Sequence, residues 1–218
     1  KAVALRILVT TAAALTVLVL FSLVFYILIK GIPNLKPSLF EWKYTSKNAS
    51  MMPAIINTIT MVLMTLLIAV PFGIGSAIYL TEYAKRGNKV VPVIRMTTET
   101  LSGIPSIVYG LFGYMAFVRW LDWGYSLMAG IITLAIMILP LIMRTTEEAL
   151  LAVPDSYREG SYGLGAGRLR TIFRVVLPSA MPGILSGVIL GVGRIVGETA
   201  ALIYTAGSVT GVPDSLMS

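Results

Sequence analysis

At 218 residues, 56% hydrophobic and only 12% charged, the chain lies far from the roughly 25% charge of a soluble domain, which marks an integral membrane protein. Its net charge of +7 comes from basic residues spread over short loops between apolar runs, so membrane orientation accounts for them and a nucleic-acid surface does not. Cys and His are both absent and no Gly-Lys pair occurs, which excludes disulfides, thiolate nucleophiles, Cys/His metal sites, a histidine base and a Walker A loop.

Taken in order, residues 7–29 form an uncharged Leu/Val-rich run behind Lys1 and Arg6, long enough to cross a core of about 30 Å. Residues 1–30 are read as a first transmembrane helix that starts inside, and residues 31–54 as an external loop. Residues 51–81 form a second apolar run interrupted by Pro53 and Pro71, which predicts a kink or a helix pair near Pro71. Residues 82–99 carry Lys85, Arg86, Lys89 and Arg95 and read as a cytoplasmic segment. A span over 101–118 follows, its small residues suited to close helix packing. Residues 119–124 make an outer turn, 125–143 cross back, and 180–207 form the last span before a polar tail at 208–218.

Between those last two spans lies a polar and basic segment. The S-x-x-E spacing of Ser156 and Glu159 predicts a capping box at the start of a helix. Gly163, Gly165 and Gly167 interrupt that helix, and a second, basic one resumes with Arg168, Arg170 and Arg174. Basic residues test the topology. Lys1, Arg6, Lys85, Arg86, Lys89, Arg95, Arg144, Arg158, Arg168, Arg170 and Arg174 fall inside, against Lys30, Lys36, Lys43, Lys47 and Arg119 outside, which supports a cytoplasmic N-terminus.

Inside the 180–207 span stand two charges, Arg194 and Glu198, at a spacing that shares one face of a continuous helix. An intramembrane arginine costs about 2.5–3.5 kcal/mol on insertion scales, so it faces a bundle interior or a water-filled path. Two readings stay open: a buried ion pair that locks the bundle, or a permeation site. A guanidinium suits an anion, with Glu198 tuning affinity or gating and Thr199 adding a hydroxyl. Arg144 is either a positive-inside residue at a helix end or part of the same path.

The spacing of Glu159, Gly165, Val175, Leu177 and Pro178 resembles the E-A-A…G…I-x-L-P loop of permease subunits of bacterial ATP-binding-cassette importers. Gly160 and Ser161 stand where that family has two alanines. The strings RTTEEALLAVPDSYREGSYGLGA (144–166) and GRIVGETAALIYTAG (193–207) are similar to the phosphate-specific, PstA-type branch, and the PstC type shares several of them. The resemblance runs from about residue 57 onward. It implies an all-α polytopic helical bundle of type I importer fold, with a permease core at 55–207 and a coupling loop at 144–178. Six spans are usual in the family and five are read here, so a last helix is expected beyond the sequence.

The resemblance also implies roles. Glu159, Gly160, Ser161, Gly165, Leu177 and Pro178 would couple to an ATPase, and arginines matching Arg144 and Arg194 would serve phosphate passage. Partners would be a homologous PstC-like permease, a PstB-like ATPase dimer holding ATP and Mg, and an external PstS-like phosphate-binding protein. The chain itself would hold no cofactor or catalytic residue, in a bacterial or archaeal cell membrane. Competing readings are a permease for sulfate or molybdate, and an ATP-independent anion channel or scaffold.

Overall fold

Helix α1 (Ala2–Gly31) is apolar on every face and none of its residues is buried, as expected of a helix bathed in lipid. Three of its hydroxyl side chains, those of Thr10, Thr16 and Ser22, bond back to their own helix backbone. The Thr10 and Thr16 hydroxyls donate to the Arg6 and Ala12 carbonyls at 2.8 and 2.9 Å, so neither is left unsatisfied in hydrocarbon. The structure, a computed structural model, describes residues 2–217 except 43, 46, 47, 86, 209, 210, 213 and 214. It divides into two units, Lys1–Pro53 and Ala54–Ser218. The first is α1 and a loop closed by the Met51 N–H donating to the Leu39 carbonyl at 2.8 Å.

The second unit is a helical bundle, with no strand among the described residues. Helix α2 (Met52–Ile78) runs on as a π-helical turn, Tyr79–Tyr83. The helix is not divided at Pro71, so the expected two-helix alternative does not hold there. Helix α3 (Val90–Ser102) occupies much of the segment read as a basic loop. Helix α4 (Ser106–Gly113) follows and ends in a π-helical stretch, Tyr114–Trp120.

The single span expected at 101–118 is instead a broken pair, with α3 and α4 bent by 98°. Pro105 explains the elbow. It offers no N–H to the helix and disfavours the helical region for the residue before it. The Tyr109 hydroxyl donates to the Leu101 carbonyl at 2.9 Å, which also accepts from the Ile104 N–H at 3.1 Å, so the elbow is tied from both sides.

Helix α5 (Leu127–Leu151) is the centre of the bundle and its most buried element. Ser126 starts it, its hydroxyl accepting from the Ala129 N–H at 3.3 Å. Helices α6 (Asp155–Gly163) and α7 (Arg168–Thr171) form the polar loop, and a π segment, Ile172–Val176, leads into α8 (Leu177–Val196). The chain breaks again at Gly197 before a short α9 (Ala200–Thr205), so the expected 180–207 span ends at Val196.

Helices α5 and α8 meet along a stripe of glycines one turn apart. A Cβ on Gly183 would stand 2.7 Å from that of Ala149, one on Gly187 would meet Thr145 Cβ at 2.7 Å, and Gly191 faces Ile142. Gly110 brings α4 just as close to the α9 backbone at Ala201. Among the described residues, four helices are long and apolar enough to cross a membrane, or up to five if the bent α3–α4 pair counts as one span.

Gly187→Val forces side chain into Thr145 and should destabilise the bundle by about 1–3 kcal/mol, the usual cost of overpacking. Gly193→Ala has open space at its Cβ and should gain by about 1 kcal/mol or less through helix propensity. Thermal unfolding of the detergent-solubilised protein checks both signs.

Candidate functional site

Arg194 lies in the last turn of α8, half-buried, with its neighbour Ile195 packed in one cluster with Tyr109, Leu134 and Ile138. Ile104, at the α3–α4 elbow, packs against the same cluster. Gly197 ends the helix, so Arg194 and Glu198 do not share a continuous helical face as the sequence spacing implied. The Glu198 carboxylate instead accepts the Ala201 N–H at 3.0 Å and caps α9. Among the described residues, no ion pair joins Arg194 to Glu198. Thr199 is exposed, and its carbonyl accepts from the Ile203 N–H at 3.1 Å.

Arg144 belongs to a different place. Its Nε donates to Glu148 Oε1 at 3.0 Å, and its Nη1 lies 3.7 Å from Glu99 Oε1. These groups, with Arg95, Thr98 and Glu147, line a cleft of about 240 Å³ between α3 and α5. Glu147 is buried there and accepts from Arg95 Nε at 2.6 Å. The register that sets Thr145 against Gly187 places Arg194 roughly 9 Å farther along the bundle than Arg144, at 1.5 Å per residue. The two arginines are therefore not brought together into one ligand shell.

The polar loop is a bent helical hairpin. Helix α6 begins at Asp155 behind Pro154, with no side-chain cap bond, so the capping box expected at Ser156 and Glu159 does not form. Pro154 pre-sets the chain for the first turn and leaves Ser156 inside the helix. Gly165 takes a positive φ of 80° at the bend, which a side chain would resist. Ser161 Oγ lies 2.8 Å from Thr171 Oγ1 and ties the two arms together. Glu159 and Gly160 are exposed, Leu177 packs against the core, and Pro178 follows directly on the π segment within the continuous helix Arg168–Val196. The tip is apolar: Leu164 is 92% exposed, and Tyr157, Leu169 and Phe173 are exposed around it.

Two ion pairs escaped the sequence reading. Arg95 meets Glu147, and Arg158 meets Glu82 with side-chain exposures of only 15% and 6%. Both had been counted, on the basic side, as loop charges that orient the chain. The one local signal was a carboxylate at each end of an apolar run, since partners 52 and 76 residues apart leave no spacing to read.

Residues 69–216 match the family described as the binding-protein-dependent transport system inner membrane component. The chain belongs to this family. Among its relatives, the probable ABC transporter permease protein YqgI of Bacillus subtilis is 38% identical over 203 residues, covering 91% of this chain and 68% of that protein. The phosphate transport system permease protein PstA 2 of Mycobacterium bovis is 43% identical over 154 residues, covering 71% of this chain and 50% of its own length. PstA of Pasteurella multocida is 39% identical over 186 residues, covering 84% and 66%. The chain thus spans half the length of the mycobacterial relative. Its fold is shared with the inward-facing MetNI methionine ABC transporter, at a TM-score of 0.56, 22% identity, and coverage of 66% of this chain and 67% of that one.

Gly165→Val places a β-branched residue at positive φ, at a cost of about 1–2 kcal/mol. Limited proteolysis should then cut faster at the α6–α7 bend, while the melting of the bundle stays unchanged.

Proposed function

We propose that this chain is the permease subunit of an ATP-driven phosphate importer. In this reading the α3–α4 elbow, α5 and α8 contribute to the anion path, and the α6–α7 hairpin seats on an ATPase partner. The observation that carries it is Arg194, a half-buried intramembrane cation whose neighbouring carboxylate is turned away to cap α9. A guanidinium left without that counter-ion keeps paired donors for the oxygens of a passing anion. The PstA names of two relatives support phosphate as that anion.

The mechanism follows from where the charges sit. Phosphate released by an external binding protein meets Arg194 near the elbow, loses part of its hydration and gains charge-assisted hydrogen bonds in exchange. Binding stays weak because the ion must also leave. Farther along, Arg144 offers a second guanidinium, half-neutralised by Glu148 and Glu99, so the field favours onward movement without trapping the ion. ATP and Mg on the ATPase dimer drive closure, the hairpins of this chain and a homologous permease move together, and the path alternates between the two sides. Arg95, Arg144, Arg158 and the cations of α7 would then face the cytoplasm, with the N-terminus on the same side.

The test is uptake of labelled phosphate by proteoliposomes holding the full complex and its binding protein. Arg194→Gln should lower uptake by roughly tenfold or more, as expected for losing a charge-assisted contact of about 1.5–3 kcal/mol, with assembly and basal ATPase retained. Unchanged uptake would remove Arg194 from the path. Excess sulfate should not compete, and competition by sulfate equal to that by phosphate would overturn the substrate assignment.

A further inference from the structure

Helix α6 carries the coupling hairpin, yet none of its residues is buried in the bundle. Apolar packing therefore gives it little grip on the membrane helices. One side chain reaches inward. Arg158 donates from Nε and Nη2 to Glu82 Oε1 at 3.1 and 2.7 Å. It donates from Nη1 to the Val153 carbonyl at 2.8 Å and to Asp155 Oδ1 at 3.3 Å, and from Nη2 to the Leu150 carbonyl at 3.0 Å. Those contacts use each of the five N–H donors that a guanidinium has.

The geometry matters because of what the acceptors belong to. Glu82 is the buried carboxylate of the π-helical turn that ends α2, and Leu150 and Val153 close α5. A planar fork engaged on every donor holds one orientation, unlike a single-point lysine contact. The remaining side-chain tie of α6, Ser161 to Thr171, stays within the hairpin. By its own side-chain hydrogen bonds α6 reaches α2 through one residue, Arg158, whereas α7 and the π segment after it touch α2 separately, Arg168 lying 5.0 Å over the Tyr83 ring and Ile172 packing with Ala77 and Leu80.

We propose that the Arg158–Glu82 pair is the joint through which movement of α6, the first arm of the coupling hairpin, is transmitted to α2 and the end of α5. The joint rests on the importer reading above. Arg158 is a positioning residue: it touches no anion, and its role is to keep ATP hydrolysis and transport in step.

The sequence contains no cysteine, so a Glu82→Cys/Arg158→Cys double variant can be addressed by thiol chemistry in the full complex with Cys-depleted partners. The readout is phosphate taken up per ATP hydrolysed. With the thiols free, that ratio should fall by about tenfold while ATPase activity persists, at the upper range of single-site coupling effects. A short bifunctional thiol reagent that bridges the two positions should restore most of it. A wild-type ratio with free thiols, or a bridged complex that stays uncoupled or arrests, overturns the joint. Should the double variant not assemble, Arg158→Lys is read instead: a lowered ratio supports the joint and a wild-type ratio overturns it. Wild-type complex without ATP-dependent uptake would sink the importer reading and the joint together, whereas a coupled wild type with unaffected variants sinks the joint alone.

Discussion

The bundle depends on the close approach of α5 and α8. In lipid, two apolar helices gain little from burying each other, because hydrocarbon solvates leucine as well as another helix does. What holds them is contact between atoms at short range, and that requires small residues. Gly183, Gly187 and Gly191 recur every fourth position and face Ala149, Thr145 and Ile142. This contact fixes the register of the two helices, and with it the height of Arg194 relative to Arg144. It also leaves the opposite face of α8, with Leu185, Ile189 and Leu190, exposed to whatever surrounds the bundle.

A second contact follows from the two helix breaks. The α3–α4 elbow and the α8–α9 break would each expose backbone groups that lipid cannot satisfy. Internal partners serve both: the Leu101 carbonyl accepts from the Ile104 N–H and the Tyr109 hydroxyl, and Glu198 covers the Ala201 N–H. Gly110 lets α4 and α9 touch backbone to backbone, so the second half of one broken element seals the other. Irregular backbone at membrane depth is tolerated where it is buried in protein or lines a cavity. Arg194 sits beside both breaks, where polar groups are already gathered.

Much of this architecture is legible in the sequence. Uncharged runs mark α1, α2, α5 and α8, and the glycines of the hairpin mark its bend, which falls at Gly165. The elbow is less legible: the small residues of 101–118 read as packing positions in one span, although Pro105 two residues after Gly103 is also a break signal. The 180–207 span runs too long because glycine is common in membrane helices, so Gly197 carries no stop signal of its own even beside Glu198. Ser156 and Glu159 satisfied a local pattern that Pro154 displaced. The ion pairs at the inner end could not be read at all, since tertiary packing alone brings Glu82 to Arg158 and Arg95 to Glu147.

Those pairs sort the arginines by what they are free to do. A guanidinium saturated by carboxylates and carbonyls, like that of Arg158, is structural: its field is cancelled locally and its donors are spent. Arg95 is likewise taken by a buried carboxylate. Arg144 is intermediate, exposed and shared between Glu148 and the more distant Glu99, so it can release one partner for an incoming anion at modest cost. Arg194 stands at the other extreme, with its nearest candidate counter-ion bound to backbone. Inserting such a cation without a carboxylate partner is costly in a membrane, and a bundle that served stability alone would gain by placing a leucine there. On the importer reading proposed above, the charge at the end of α8 serves an anion rather than packing.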